Sequence, residues 1–354
     1  MSLSLNRGQC AARTGPRSDE CGLPTGAASR TGPAAATICP MRVTVVGAGI
    51  NGLACALRLQ EAGHTVAIVA AAPPEETTSA VAAALWYPYR AFPEAAVTRW
   101  AAEGFAVLAT MAADLPTGVR MRTGREVFRA PAPGPWWRDA VPSLRRVLPG
   151  DLPTGYADGF ELTVPIVDMA THLSWLLAEL TRRGVTLTQR RLAGLDELAG
   201  SADAVVNCTG LGARELVGDD TLVPVRGQIV VVEQVGLERW VLDQDDPQQV
   251  TYVVPRLDTI VLGGTAEEGD EDTAVRPATV ADVLARCSAL VPEIAGARVL
   301  AHRVGLRPTR PAVRLEAEDL AGQLVVHCYG QGGAGVTLAY GCAQDVVQLL
   351  APHS

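Results

Sequence analysis

The 354-residue chain has no apolar run near the roughly 18 residues of a membrane-crossing helix, so no span is predicted. It has no positive excess: 30 Lys and Arg against 38 Asp and Glu leave a net charge of −8. That balance argues against nucleic acid or an anionic membrane surface as the main partner. The acids are scattered rather than run together, as on a solvating surface. None of the eight cysteines stands in a CxxC pair, and with only five histidines no zinc spacing emerges, so no metal site is expected. Cys55, Cys208, Cys328 and Cys342 lie among apolar or Gly residues, where a free thiol serves as a small hydrophobe. A reducing cytoplasm is the expected compartment. The N-terminus has no apolar h-region, the C-terminus is not Ser-Lys-Leu, and no internal repeat is visible.

What is present suits a large core. With 48% hydrophobic and 19% charged residues, the length suggests two domains. Residues 1–40 stand apart: they are rich in Gly, Ala, Ser, Thr and Arg and show no period, which predicts a disordered extension before Met41, a candidate start. Arg42 to Val46 reads as a buried strand, Leu53 to Ala62 as a helix, and Thr65 to Val69 as a second strand. Helices are predicted at Glu94–Met111, at 169–183 with Asp168 as N-cap, at Pro277–Leu290 and at Val336–Leu350. Strands are predicted at Val185–Thr188, Ala204–Val206, Val223–Glu233, Thr251–Val254, Thr259–Gly263 and Leu324–Val326. Pro-rich punctuation marks 72–93 and 131–153 as loops.

Gly47, Gly49 and Gly52 have the spacing G-x-G-x-x-G between the first strand and the first helix. In a βαβ unit these glycines allow a tight turn, close approach to a pyrophosphate, and close helix–strand packing. The helix N-terminus then faces the phosphates. The segment Gly47-Ala48-Gly49-Ile50-Asn51-Gly52 is therefore a candidate dinucleotide loop, without separating FAD from NAD. The acidic residue that usually meets the ribose is missing: Val69 to Ala72 reads Val-Ala-Ala-Ala. Either Glu75 or Glu76 compensates, or the ribose is held otherwise.

Several segments, in order, resemble the D-amino-acid oxidase family over nearly all of 42–350. They are Thr77-Thr78-Ser79-Ala80-Val81-Ala82-Ala83-Ala84-Leu85-Trp86-Tyr87-Pro88-Tyr89, Val206-Asn207-Cys208-Thr209-Gly210, Arg226-Gly227-Gln228, Tyr252-Val253-Val254-Pro255, Arg307-Pro308-Thr309-Arg310-Pro311, and Val325 to Gly335. The resemblance implies an α/β fold. A doubly wound, Rossmann-like FAD-binding domain (41–92, 150–225 and 298–354) would interleave with an α+β substrate domain (93–149 and 226–297) on an antiparallel sheet. It also implies FAD as cofactor. Thr77, Thr78 and Ser79 would lie toward the phosphate and ribose, Ala83, Ala84 and Leu85 beside the flavin, and Val206 at the adenine. Gly332, Gly333, Ala334, Gly335, Val336 and Thr337 would wrap the flavin's pyrimidine edge.

By the same resemblance Arg307 binds the substrate carboxylate, a role suited to a bidentate guanidinium, with Arg310 as a nearby competitor. Tyr252 would help hold that carboxylate, although its plainer reading is a core aromatic on a strand. The Gly333 carbonyl would accept from the amino group. His327 is left out as a packing residue. Tyr87 stands where relatives often carry Gln, and the stretch Leu242–Val250 lacks the Tyr that eukaryotic lids contribute. The implied activity is oxidative deamination of neutral or basic D-amino acids with O2, giving hydrogen peroxide, a 2-oxo acid and ammonia, with homodimerisation left open. Asp243, Asp245 and Asp246 would repel a second carboxylate. The alternatives are a glycine- or sarcosine-type oxidase, a D-aspartate oxidase, or a nucleotide-binding protein without turnover.

Overall fold

The computed structural model describes residues 39–247 and 249–351. The expected extension, residues 1–40, lies almost wholly outside them. Fourteen strands form: β1 (Arg42–Val46), β2 (Thr65–Ala70), β3 (Val119–Phe128), β4 (Arg145–Arg146), β5 (Asp158–Val167), β6 (Thr186–Gln189), β7 (Ala204–Asn207), β8 (Val223–Glu233), β9 (Trp240–Asp243), β10 (Thr251–Pro255), β11 (Thr259–Gly263), β12 (Glu267–Glu268), β13 (Val299–Leu320) and β14 (Gln323–Gln331). The helices are α1 (Ile50–Glu61), α2 (Thr78–Val81), α3 (Glu94–Met111), α4 (Met169–Arg182), α5 (Ala213–Leu216), α6 (Pro277–Leu290) and α7 (Gly335–Leu350). None is long and apolar enough to cross a membrane among the described residues.

All the strands join one mixed sheet, in the order β4-β5-β3-β9-β10-β11-β8-β13-β14-β7-β1-β2-β6, with β12 beside β8. The end β14-β7-β1-β2-β6 is parallel throughout. Its strands read as continuous Val, Ile and Ala because helices cover them. The other end is antiparallel except where β3 pairs β9. The two ends are therefore one sheet, joined by β13, and not separate sheets. β13 runs 22 residues, pairing β8 with its first half and β14 with its second. The register shifts between Thr309 and Arg314, around Pro311, which has no N–H to offer a ladder.

The predicted helices form, and Asp168 caps α4 by accepting from the Thr171 amide at 3.0 Å. β3, β5, β9 and β13 were not predicted. Arg307 to Pro311, to which no element was assigned, is strand. The segment 72–93, read as loop, contains the single turn α2. Helix α7, buried along most of its length, packs against α1 and α3. Trp86, Trp137, Leu53 and Tyr340 belong to the same central core, which closes one side of the cavity described next.

Candidate active site

One cavity of about 490 Å³ runs from the Gly47 turn to Arg307. Its far end is built by the βαβ unit. A Cβ on Gly52 would lie 2.0 Å from the Gly47 carbonyl oxygen, so the turn and α1 pack too closely for any side chain. Gly47 itself has φ +113°, a backbone region that only Gly enters freely. Ser79 reaches this turn from α2 and accepts the Ile50 amide at 3.0 Å, which places its hydroxyl at the N-terminus of α1. Asn51 Oδ1 is buried with no hydrogen-bond partner among the described residues, and Asn51 Nδ2 would sit 3.5 Å from a Cβ on Gly335. The side chain thus lies between the starts of α1 and α7, where the first N–H groups of each helix have no helical acceptor.

Ala71 and Ala72 line this end with Glu76, Arg190 and Arg191. Of the two acids offered as substitutes for the missing ribose partner, Glu76 reaches the cavity wall. The two arginines were not anticipated. They follow β6, which pairs with β2 and so brings residue 190 next to Ala70. Val206 is not on the wall: it is buried in β7 between Val45 and Val326. Gly52 and Ala334 also lie behind the wall rather than on it.

In the middle, Ala83, Ala84 and Leu85 line the cavity. They are held by β5: Val167 donates to the Ala84 carbonyl at 3.0 Å, and Trp86 to the Pro165 carbonyl at 2.9 Å. Arg256 Nη2 grips the Ala82 carbonyl at 2.7 Å. Across the cavity, Gly332, Gly333, Gly335, Val336 and Thr337 open α7. Thr337 Oγ1 accepts the Tyr87 amide at 2.9 Å and donates to the Tyr87 carbonyl at 3.0 Å, tying the two walls together. An unpartnered buried amide oxygen, two helix starts and a turn that excludes side chains fit an elongated, phosphate-bearing dinucleotide.

At the near end Arg307 Nη1 donates to the Thr265 carbonyl at 3.0 Å, and its guanidinium lies where a Cβ on Gly227 would be. No carboxylate pairs with it among the described residues. Arg310, the competitor, is spent elsewhere: its Nε donates to Asp219 at 2.9 Å, off the cavity. Tyr252 lines the wall beside Arg307; burial raises its phenol above the ordinary value, and the Arg307 charge offsets this only in part. Tyr89, to which the sequence assigned no role, lies 6.0 Å by ring centroid from the Arg307 guanidinium. Its hydroxyl is buried with no hydrogen-bond partner among the described residues, and its ring occupies the space a Cβ on Gly333 would need. Asp243, Asp245 and Asp246 do not line the cavity. Arg129 holds Asp243 at 2.8 Å and Asp245 at 3.4 Å, and Asp246 is also off the wall. His327 is buried against Asn207 and Glu318, as a packing residue.

The family model described as FAD dependent oxidoreductase matches residues 42–349. A D-amino-acid oxidase of Rubrobacter xylanophilus is 52% identical over 310 residues, covering 87% of this chain and 95% of that protein. The D-amino-acid oxidase of Streptomyces coelicolor is 46% identical, covering 87% and 96%. In fold, the chain resembles a glycine oxidase from Bacillus cereus, with a TM-score of 0.71 at 17% identity over 89% of this chain and 96% of that one. The chain belongs to the D-amino-acid oxidase family of FAD-dependent oxidoreductases.

Proposed function

We propose that the chain oxidises D-amino acids, with FAD in the elongated part of the cavity and the amino acid at the Arg307 end. The observation that carries this is the Arg307 guanidinium, without an acid partner among the described residues, beside two tyrosines on the wall of the dinucleotide cavity. When bound, FAD supplies the electron acceptor for hydride leaving Cα and returns the electrons to O2, giving hydrogen peroxide. The chain's own residues do the placing. The glycine turn Gly47 to Gly52, with Thr77, Thr78 and Ser79, would hold the phosphates. Backbone at Ala83 to Leu85 and at Gly332 to Thr337 would hold the ring system from two sides.

Arg307 would clamp the substrate carboxylate as a fork, with Tyr252 and Tyr89 hydroxyls as further donors. The Gly333 carbonyl would accept from the amino group. With both ends of the α-carbon fixed, the direction of its hydrogen follows, and positioning supplies most of the rate. No acid–base pair is needed. In this arrangement the parallel end of the sheet serves the cofactor and the antiparallel end serves the substrate. The six described cysteines are all free, which supports a reducing, cytoplasmic setting.

The test is anaerobic mixing of the flavin-loaded protein with D-alanine, L-alanine and NADH in turn. Bleaching of the yellow colour by D-alanine alone is expected. Bleaching by NADH, or none by any D-amino acid, would overturn the reading.

A further inference from the structure

Glu126 is a carboxylate on β3, 3% exposed, with no cation paired to it among the described residues. Two side chains hold it. The Tyr87 hydroxyl donates to its Oε1 at 2.7 Å, and Gln244 Nε2 donates to the same oxygen at 3.0 Å. Both Tyr87 and Gln244 line the cavity, together with Leu242 and Val250, at the end where Arg307 and Tyr252 stand. Tyr87 is fixed independently through its backbone bonds with Thr337. Glu126 therefore sits one hydrogen bond behind the pocket wall.

This arrangement has a polarity. The phenol proton of Tyr87 and one amide hydrogen of Gln244 point at Glu126, which leaves these two side chains the phenol oxygen and the Gln244 carbonyl oxygen as acceptors and the second Gln244 amide hydrogen as a donor. An arginine or lysine side chain carries donors and no acceptor. Behind the acceptors lies a carboxylate with no cation paired to it among the described residues.

Resting on the reading that the chain oxidises D-amino acids, we propose that Glu126 sets the side-chain preference. Acting through Tyr87 and Gln244, its carboxylate favours substrates with a cationic side chain and disfavours those with a second carboxylate. It is a positioning residue and touches no reacting atom. Asp243 and Asp245 do not share this role, because Arg129 holds both. Burial pushes the Glu126 carboxyl up to about 7, so the preference is itself switched by pH. The titratable groups facing it are the Tyr87 phenol and, more remotely, Asp245. Neighbouring Glu161 and Asp243 stand in register with Arg125 and Val127, on the opposite face of the sheet from Glu126.

The experiment compares kcat/KM for D-arginine and D-leucine in the flavin-loaded enzyme on both sides of about pH 7. Both substrates share the α-amino titration, so it cancels in their ratio. In the wild type the D-arginine to D-leucine ratio is expected to rise roughly tenfold as the carboxylate ionises. Glu126→Gln keeps an acceptor for Tyr87 and is expected to flatten that profile at the low ratio. Glu126→Asp should restore part of the rise. A flat wild-type ratio, or an unchanged profile in Glu126→Gln, would overturn the role of Glu126 while leaving D-leucine oxidation standing. If Glu126→Gln does not retain flavin, the wild-type profile and Glu126→Asp decide. Failure to oxidise either D-amino acid would overturn the activity itself.

Discussion

Arg310 donates through Nε to Asp219 Oδ2 at 2.9 Å, while Arg307, three residues earlier on the same strand, has no acid partner among the described residues. The two arginines are therefore not interchangeable. If Arg307 clamps the substrate carboxylate as proposed, Arg307→Ala removes a charge-assisted fork, a contact worth about 1.5–3 kcal/mol. Substrate binding should weaken by one to two orders of magnitude, and the rate of flavin reduction should fall as well, because a tilted substrate reacts slowly. Arg307→Lys should recover only part of the loss. In Arg310→Ala the buried Asp219 loses its cation, and a stability loss of about 2–3 kcal/mol is expected with little change in substrate binding. Stopped-flow reduction by D-alanine and thermal melts separate the two outcomes. Normal reduction in Arg307→Ala would show that the carboxylate is held elsewhere.

A second prediction concerns the turn under the cofactor. A Cβ at position 52 would lie 2.0 Å from the Gly47 carbonyl oxygen and 2.9 Å from its carbonyl carbon, backbone atoms with no flexible group to yield. Gly52→Ala must therefore push α1 away from the turn, displacing the helix start that faces the phosphates. Purified Gly52→Ala protein should be largely colourless and should regain little flavin on adding FAD. Full flavin occupancy, measured by absorbance against protein concentration, would contradict it.

What the sequence revealed about the fold was local. The glycine turn of the βαβ unit, the capped helix at Met169 and the loop before α7 announce themselves through spacing over a few residues. β13 did not, because Gly305, Pro308 and Pro311 read as breakers, and only pairing with β8 and β14 makes the segment a strand. β3 was hidden by Arg120, Arg122 and Arg125; the last two find partners far away in the chain, Arg122 with Glu238 and Arg125 with Glu161. The same limit applies to the site. Arg307 and Tyr252 could be named from short motifs, with Arg310 as the competitor; what engages Arg310 is Asp219, distant in sequence, and no motif announces that pairing. The acids at 243 and 245 looked like a charged lid until Arg129 was seen to hold them. Glu126 read as one more polar residue, since nothing adjacent signals that it is buried.

Stability should fall in mild acid through His172. Its ring is fully buried, with Nδ1 2.7 Å from the Thr117 carbonyl and Nε2 2.9 Å from the Tyr340 hydroxyl. Burial pulls its pKa down from 6.5 to about 4. The unfolded chain thus takes up a proton that the folded chain refuses, and stability is lost as pH falls from about 6.5 toward about 4. The size is on the order of 3 kcal/mol at the acid end. Denaturant melts of the wild type and His172→Gln across this window should converge as pH falls. A constant gap between them would remove His172 as the cause.

Glu126 should act in the opposite direction. Its carboxyl is raised from 4.5 to about 7, so the folded protein holds a proton that the unfolded chain gives up. Stability is therefore undiminished below about 4.5 and is lost progressively as pH rises through about 7. Above that, the charged carboxylate costs the fold on the order of 3 kcal/mol. Glu126→Gln removes the charge while leaving Tyr87 and Gln244 something to bond to. Its Tm should exceed that of the wild type by several degrees well above pH 7 and match it in mild acid. A site that spends stability on an unpaired buried charge fits a selective role better than a packing role, and the melts test that trade-off without any substrate present. If the two proteins melt alike at alkaline pH, Glu126 is not the buried charge that its surroundings indicate, and the pH-switched preference for cationic side chains loses its physical basis.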